Sequence, residues 1–112
     1  MFGDPLKKIE KYKAKGKGEK LADLCSHKAK EVRLKAVDAL GGLKGNEEAY
    51  NELVMHVHDE DTEMRLHAIE ALGMLRDVKA RAHIEHQSKN EKDEKVRIAI
   101  QRALKMLKGS GE

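Results

Sequence analysis

The sequence predicts an all-α solenoid, a superhelix of about three and a half antiparallel helical hairpins. Three observations predict it. The first is composition: the 112 residues include a single proline and only 3% aromatics, with 38% charged residues. Lys, Glu, Ala and Leu lose little rotamer freedom in a helix, and β-branched and aromatic residues are too sparse for a sheet. The second is self-similarity. VRLKAVDALGGLK begins at Val32, MRLHAIEALGMLR at Met64 and VRIAIQRALKMLK at Val96, a constant interval of 32 residues. Arg33, Arg65 and Arg97 align without a gap, as do Leu40, Leu72 and Leu104, then Leu43, Leu75 and Leu107. A fixed period of this size marks stacked hairpins, each burying its apolar face against the next. The third is the period within each block: Met64, Ala68, Ala71, Leu72 and Leu75 recur at helical spacing, and Leu66 and Ile69 widen the apolar face.

The elements follow in order. Asp4 and Pro5 read as a cap and first helical position, and that helix ends near Gly16-Lys17-Gly18. A short helix then runs from Glu19 to about Ser26, with Leu21, Leu24 and Cys25 on one face. The first block is the next helix. Asn46 caps another from Glu47 to about Val57, with Ala49, Tyr50, Leu53, Val54 and Val57 inward. The second block follows, then a helix capped by Asp77 and running to about Ser88. The third block is the last helix. Seven helices result, in one domain over 1–108 with repeat units near 5–28, 29–58, 61–88 and 93–108, and a flexible tail at 109–112.

Two local departures carry information. Gly41 and Gly73 fall where alanine is worth about 1 kcal/mol more to a helix, so close approach of the hairpin's own second helix is the expected reason for them. The third block has Lys105 at that position and Gln101 where the others have Val37 and Ile69. Both fit a polar cap that closes the stack. The helix before it ends in the polar His86-Gln87-Ser88, which reads as a loosening of the stack, with a polar surface being presented as the second reading.

The run Asp59, Asp61, Glu63, Arg65, followed by Ala71, Leu72, Gly73 and Leu75, resembles the HEAT-like repeats first noted in phycobilisome lyases. The first block keeps Glu31 and Arg33, with His27 and Ala29 at the acidic positions; the third keeps Asp93 and Arg97 but lacks the glycine. The resemblance spans roughly residues 19 to 108. It implies a helical superhelix whose second helices line one face, and it leaves the function open, because one fold serves many roles.

Arg33, Arg65 and Arg97, with Asp61 and Asp93 four residues before the latter two, are expected to form a structural ladder between repeats; a row gripping phosphates is the secondary reading. Charge divides along the chain: Lys7, Lys8, Lys11, Lys13, Lys15, Lys17 and Lys20 make the first segment basic, Glu47 to Glu70 is acidic, and Lys89 to Lys108 is basic again. The basic ends flank an acidic centre, so no continuous basic track forms, and Phe2, Tyr12 and Tyr50 are too few to stack single-stranded bases.

Catalytic signals are absent. No phosphate-binding Gly-rich loop occurs. His83 and His86 share a helical face without converging carboxylates, and the His-Glu dipeptides by which the HEAT-like deoxyhypusine hydroxylases bind iron are missing. The HEAT-like DNA glycosylases depend on aromatic residues that this chain lacks. Cys25, at helical spacing with Leu21 and Leu24, reads as a small buried hydrophobe. No catalytic, cofactor-binding or metal site is assigned. No apolar run approaches the roughly 18 residues of a membrane span, so a soluble, cytoplasmic protein is expected. The expected function is a non-enzymatic protein-interaction or scaffold module binding a protein or peptide. The outward positions of the second helices are its candidate surface: Lys20, Asp23 and His27; Glu48, Asn51, Glu52 and Met55; Lys79, His83 and His86. The alternatives are a nucleic-acid accessory protein using the Lys-rich ends and a partner-dependent subunit related to phycobilin lyases.

Overall fold

Helix formation begins with the caps. In a computed structural model, which describes residues 3–108, the Asp4 carboxylate accepts from the Leu6 N–H and Pro5 opens α1 (Pro5–Ala14). α2 spans Gly18–Leu24 and α3 Lys30–Leu40. Asn46 Oδ1 accepts from the Ala49 N–H to start α4 (Glu47–His56), while its Nδ2 donates to Gly16 O in the previous hairpin turn. Asp61 caps α5 (Thr62–Leu75) through the Glu63 and Met64 N–H groups. α6 (Ala80–Ser88) starts a turn later than Asp77, whose side chain accepts from the Lys79 N–H within the preceding turn. Asp93 accepts from Val96 N–H at the head of α7 (Glu94–Lys108). Among the described residues there are seven helices and no strand; the expected tail at 109–112 lies outside them.

The first helices α1, α3, α5 and α7 pack side by side in one layer, and α2, α4 and α6 form the other. The molecule measures 46 × 30 × 16 Å, a short two-layer slab. The repeated residues fill the space between the layers. Leu40 and Leu72, Val37 and Ile69, and Ala36 and Ala68 are all fully buried and meet Leu21, Leu53 and Ile84 from the second layer. Each such Leu or Ile contributes roughly 1.5–3 kcal/mol by leaving water. The third block departs as its sequence suggests: Gln101 and Lys105 are exposed and Leu104 is only half-buried, because no described helix covers that side of α7.

The second layer does not keep the 32-residue period throughout. The buried pair Ala49 and Leu53 on α4 recurs as Ala80 and Ile84 on α6, 31 residues later in each case. The turn before α6 absorbs the slip. The packing of α4 on α6 is thinner than that of α2 on α4. The polar end of α6 is nonetheless packed: Gln87 is buried, its Oε1 accepts from His58 Nδ1 at 2.6 Å, and its Nε2 donates to Glu91 at 2.9 Å.

The glycines have a different neighbour from the one expected. A Cβ on Gly41 would lie 2.9 Å from Ala71 Cβ and 3.0 Å from Ala71 Cα, both on α5; one on Gly73 would lie 3.2 Å from Ala103 Cα on α7. Close approach is therefore between successive first helices, not within a hairpin. Gly41 also sits just past the end of α3, at its C-cap. Lys105 occupies the equivalent position on α7, where no following helix is present among the described residues.

One pair across the first layer responds to pH. His67 on α5 hydrogen-bonds Asp38 on α3 at 2.7 Å, and that carboxylate raises the imidazole above its ordinary range despite partial burial. A raised folded pKa gives stability that is complete below the unfolded value of about 6.5 and is lost as pH rises through the folded one. We expect unfolding free energy to fall over that window by no more than about 1 kcal/mol, because the pair is part-exposed. Urea titrations of wild type and His67→Gln at pH 6 and 8.5 check this: the wild type should lose more stability than the variant, and equal losses would refute it.

Candidate functional site

The repeated arginine has one constant bond. Arg33 Nη1 donates to His27 O at 2.8 Å, Arg65 Nη1 to Asp59 O at 2.9 Å and Arg97 Nη1 to Glu91 O at 3.0 Å. Each reaches back six residues and fastens the loop left by a second helix to the first turn of the next first helix. The loop side chains repeat too: His27, Asp59 and Glu91 accept from the N–H groups of Ala29, Asp61 and Asp93, two residues on. Asp61 and Asp93 do not pair with the arginines. They cap α5 and α7, and Asp61 forms its ion pair across the repeat boundary with Lys30, at 3.1 Å. The aspartates are committed because the capping geometry points their carboxylates at helix N–H groups. Committed to backbone carbonyls, these arginines do not form an open phosphate-gripping row.

Of the three repeated arginines, only Arg65 has a carboxylate partner among the described residues. Its Nε and Nη2 donate to the two oxygens of Glu91 at 2.9 and 3.0 Å. Glu91 is 3% exposed, a buried charge. Burial pushes its carboxyl upward, but the Arg65 guanidinium, the Gln87 amide and the Asp93 N–H outweigh that and hold it below the usual carboxylate range. His58, Gln87, Glu91 and Arg65 thus form one polar chain between the α4–α5 and α6–α7 loops.

This scaffold holds the second helices in a row. On it, Lys20, Asp23, Glu48, Asn51, Met55, Lys79, His83 and His86 are exposed, and His27 and Glu52 are half-buried. Met55 is 67% exposed, the most open large apolar side chain among the described residues. Two members are tied to neighbours across the α4–α6 gap: Lys79 Nζ lies 4.9 Å above the Tyr50 ring, and His86 meets His58 edge to face at 5.7 Å. His27 is occupied by its loop. Glu52 turns back along α4, where its carboxylate takes His56 Nε2 at 2.9 Å, and His56 Nδ1 meets Asp59 at 3.0 Å. The row is therefore acidic at Glu48 beside Met55, and at α6 it presents His83 with Lys79 and His86 held by their neighbours.

One grouping was not visible in the sequence. Ligand atoms of Cys25, Glu52 and His56 all lie within 4.8 Å of one another. Glu52 and His56 stand four apart on one helix face, which the sequence shows; Cys25 is brought to them only by the packing of α2 on α4.

A family model described as HEAT repeats matches residues 18–105. No curated protein matches the chain. No described helix is long and apolar enough to cross a membrane.

Proposed function

Since this chain belongs to the HEAT-repeat family, we propose that it is a non-enzymatic interaction module that binds a protein or peptide along its second helices. The observation that carries the reading is Met55, 67% exposed in a row otherwise made of charged and polar side chains. A flexible thioether is a common anchor at adaptable binding surfaces. Around it, Glu48 and Asn51 supply an acidic and polar rim, and Lys79, His83 and His86 a basic one. That arrangement suits a peptide with an apolar anchor and charges of both signs, because charge complementarity selects the partner while the anchor supplies much of the affinity.

The test is affinity capture from native lysate. Glu48→Lys with Met55→Lys is the informative double variant, since both side chains are free of internal partners; Lys35→Glu, on the opposite layer, is the control. The double change should remove captured protein and the control should retain it. Capture unaffected by the double change would refute the assignment of this face. The Lys-rich α1 favours one other outcome, retention of duplex nucleic acid that falls steeply with added salt. That result would replace the protein-binding reading.

A further inference from the structure

We propose that Cys25, Glu52 and His56 bind one divalent transition-metal ion of the zinc type, at the seam between the first and second repeats. Two elements bring three donors together there. Cys25 follows the last turn of α2, and Glu52 and His56 are one turn apart on α4. Their donor atoms lie within 4.8 Å of one another. Zinc–ligand bonds of about 2.0–2.3 Å require donors within roughly 4 Å, so a rotation of the half-buried Glu52 and His56 side chains closes the site. Three protein ligands leave a fourth position for water on the partly exposed α4 side.

The chemistry of the donors matches that ion. Thiolate, imidazole and carboxylate are the zinc set, and one thiolate with one carboxylate neutralises a divalent charge. Neutrality matters where Cys25 is 2% exposed, since an unpaired charge is costly to bury. His56 is already oriented as a ligand. Its Nδ1 meets Asp59 Oδ2 at 3.0 Å, the carboxylate–histidine arrangement that fixes the tautomer and turns Nε2 toward a metal. Nε2 now faces Glu52 at 2.9 Å. On binding, the neutral imidazole offers its Nε2 lone pair to the metal and the Cys25 thiol gives up its proton. The metal-free thiol holds that proton firmly, pushed up to about 12 first by burial and then by Glu52.

The fold alone does not call for these residues. At the corresponding seam between the next two repeats, the residue 32 after Cys25 is the fully buried Val57. There the end of the second helix meets its loop acid through Gln87 and Glu91, an amide stands where His56 would be, and no thiol is present; the histidine there, His58, bonds the Gln87 amide oxygen.

The test titrates the full chain, reduced and metal-free, with cobalt(II) and then with zinc. One equivalent of cobalt should give a sulfur-to-metal charge-transfer band together with the visible bands of tetrahedral coordination, and zinc should bleach both. Cys25→Val keeps an apolar side chain at the buried position, so it should fold, shown by circular dichroism, and lose the charge-transfer band. Asp59→Asn should weaken binding about 10–100-fold. Absence of the band in wild type would overturn the proposal, as would a band that persists in Cys25→Val. Cobalt held without a thiolate band would place it elsewhere, on exposed histidines such as His83 and His86, and would overturn it equally.

Discussion

Replacing Arg65 by Met should destabilise the protein by about 3–5 kcal/mol at neutral pH, the loss expected when one partner of a buried ion pair is removed. Glu91 is buried, and Arg65 supplies both of the strong donors to its carboxylate. Without the guanidinium, the charge keeps two neutral donors, the Gln87 amide and the Asp93 N–H. The same exchange also frees the Asp59 carbonyl that Arg65 holds. Glu91→Gln should cost less, because the amide retains hydrogen-bonding capacity and Arg65 is open enough to take water.

The pH dependence separates a charge effect from lost packing. In the wild type the Glu91 carboxyl is held low. Its contribution is therefore present above the unfolded value of about 4.3 and lost as pH falls through the folded one. In Arg65→Met, burial is opposed by neutral donors only, and the carboxyl titrates higher. Protonation then relieves the variant, so its deficit against wild type should narrow from pH 7 toward pH 4. Urea unfolding at both pH values reads this directly; a deficit that stays constant would show that packing, not the buried charge, sets the loss.

The second large effect is Gly41→Ala. Propensity alone makes alanine better by about 1 kcal/mol at a helical conformation, and Gly41 has ordinary helical angles. Tertiary contact reverses the sign. The added methyl would meet the Cβ, Cα and carbonyl oxygen of Ala71 at 2.9 to 3.1 Å, and backbone cannot yield as a side-chain tip can. A loss of about 1–3 kcal/mol is expected, as for other overpacked sites. Gly73→Ala is the contrast. Its nearest neighbours stand at 3.2 to 3.3 Å and one is the Met106 sulfur, which can move. Helix propensity and crowding should there nearly cancel, within about 1 kcal/mol. Thermal melts of the two variants side by side decide it. Equal effects would mean that the first helices do not approach α5 more closely from α3 than from α7.

Residues separated by one helical turn were legible without a structure. The spacing of Met64, Ala68, Ala71, Leu72 and Leu75 defined a core face, and all five are buried. Asp4, Asn46 and Asp61 announced helix starts, because a short acceptor before an apolar period has one common use. Of the candidate surface, the exposure of Met55, Glu48 and Asn51 followed from the same periodicity. Glu52 did not follow it, since an acceptor four residues from a histidine turns along its own helix.

By itself the sequence determined that this chain is a stack of helical hairpins, where most of the helices begin and which stripe each buries, because those depend on interactions within three or four residues. Tertiary structure alone decided that Arg65 pairs with Glu91 and not Asp61, that Gly41 makes room for Ala71, that α6 slips by one residue, and that Cys25 meets Glu52 and His56. Each of those contacts joins residues roughly 26 to 31 positions apart in chains of such stacked repeats. Their partners are set by how one hairpin lies on the next, a rotation and offset that no local spacing encodes.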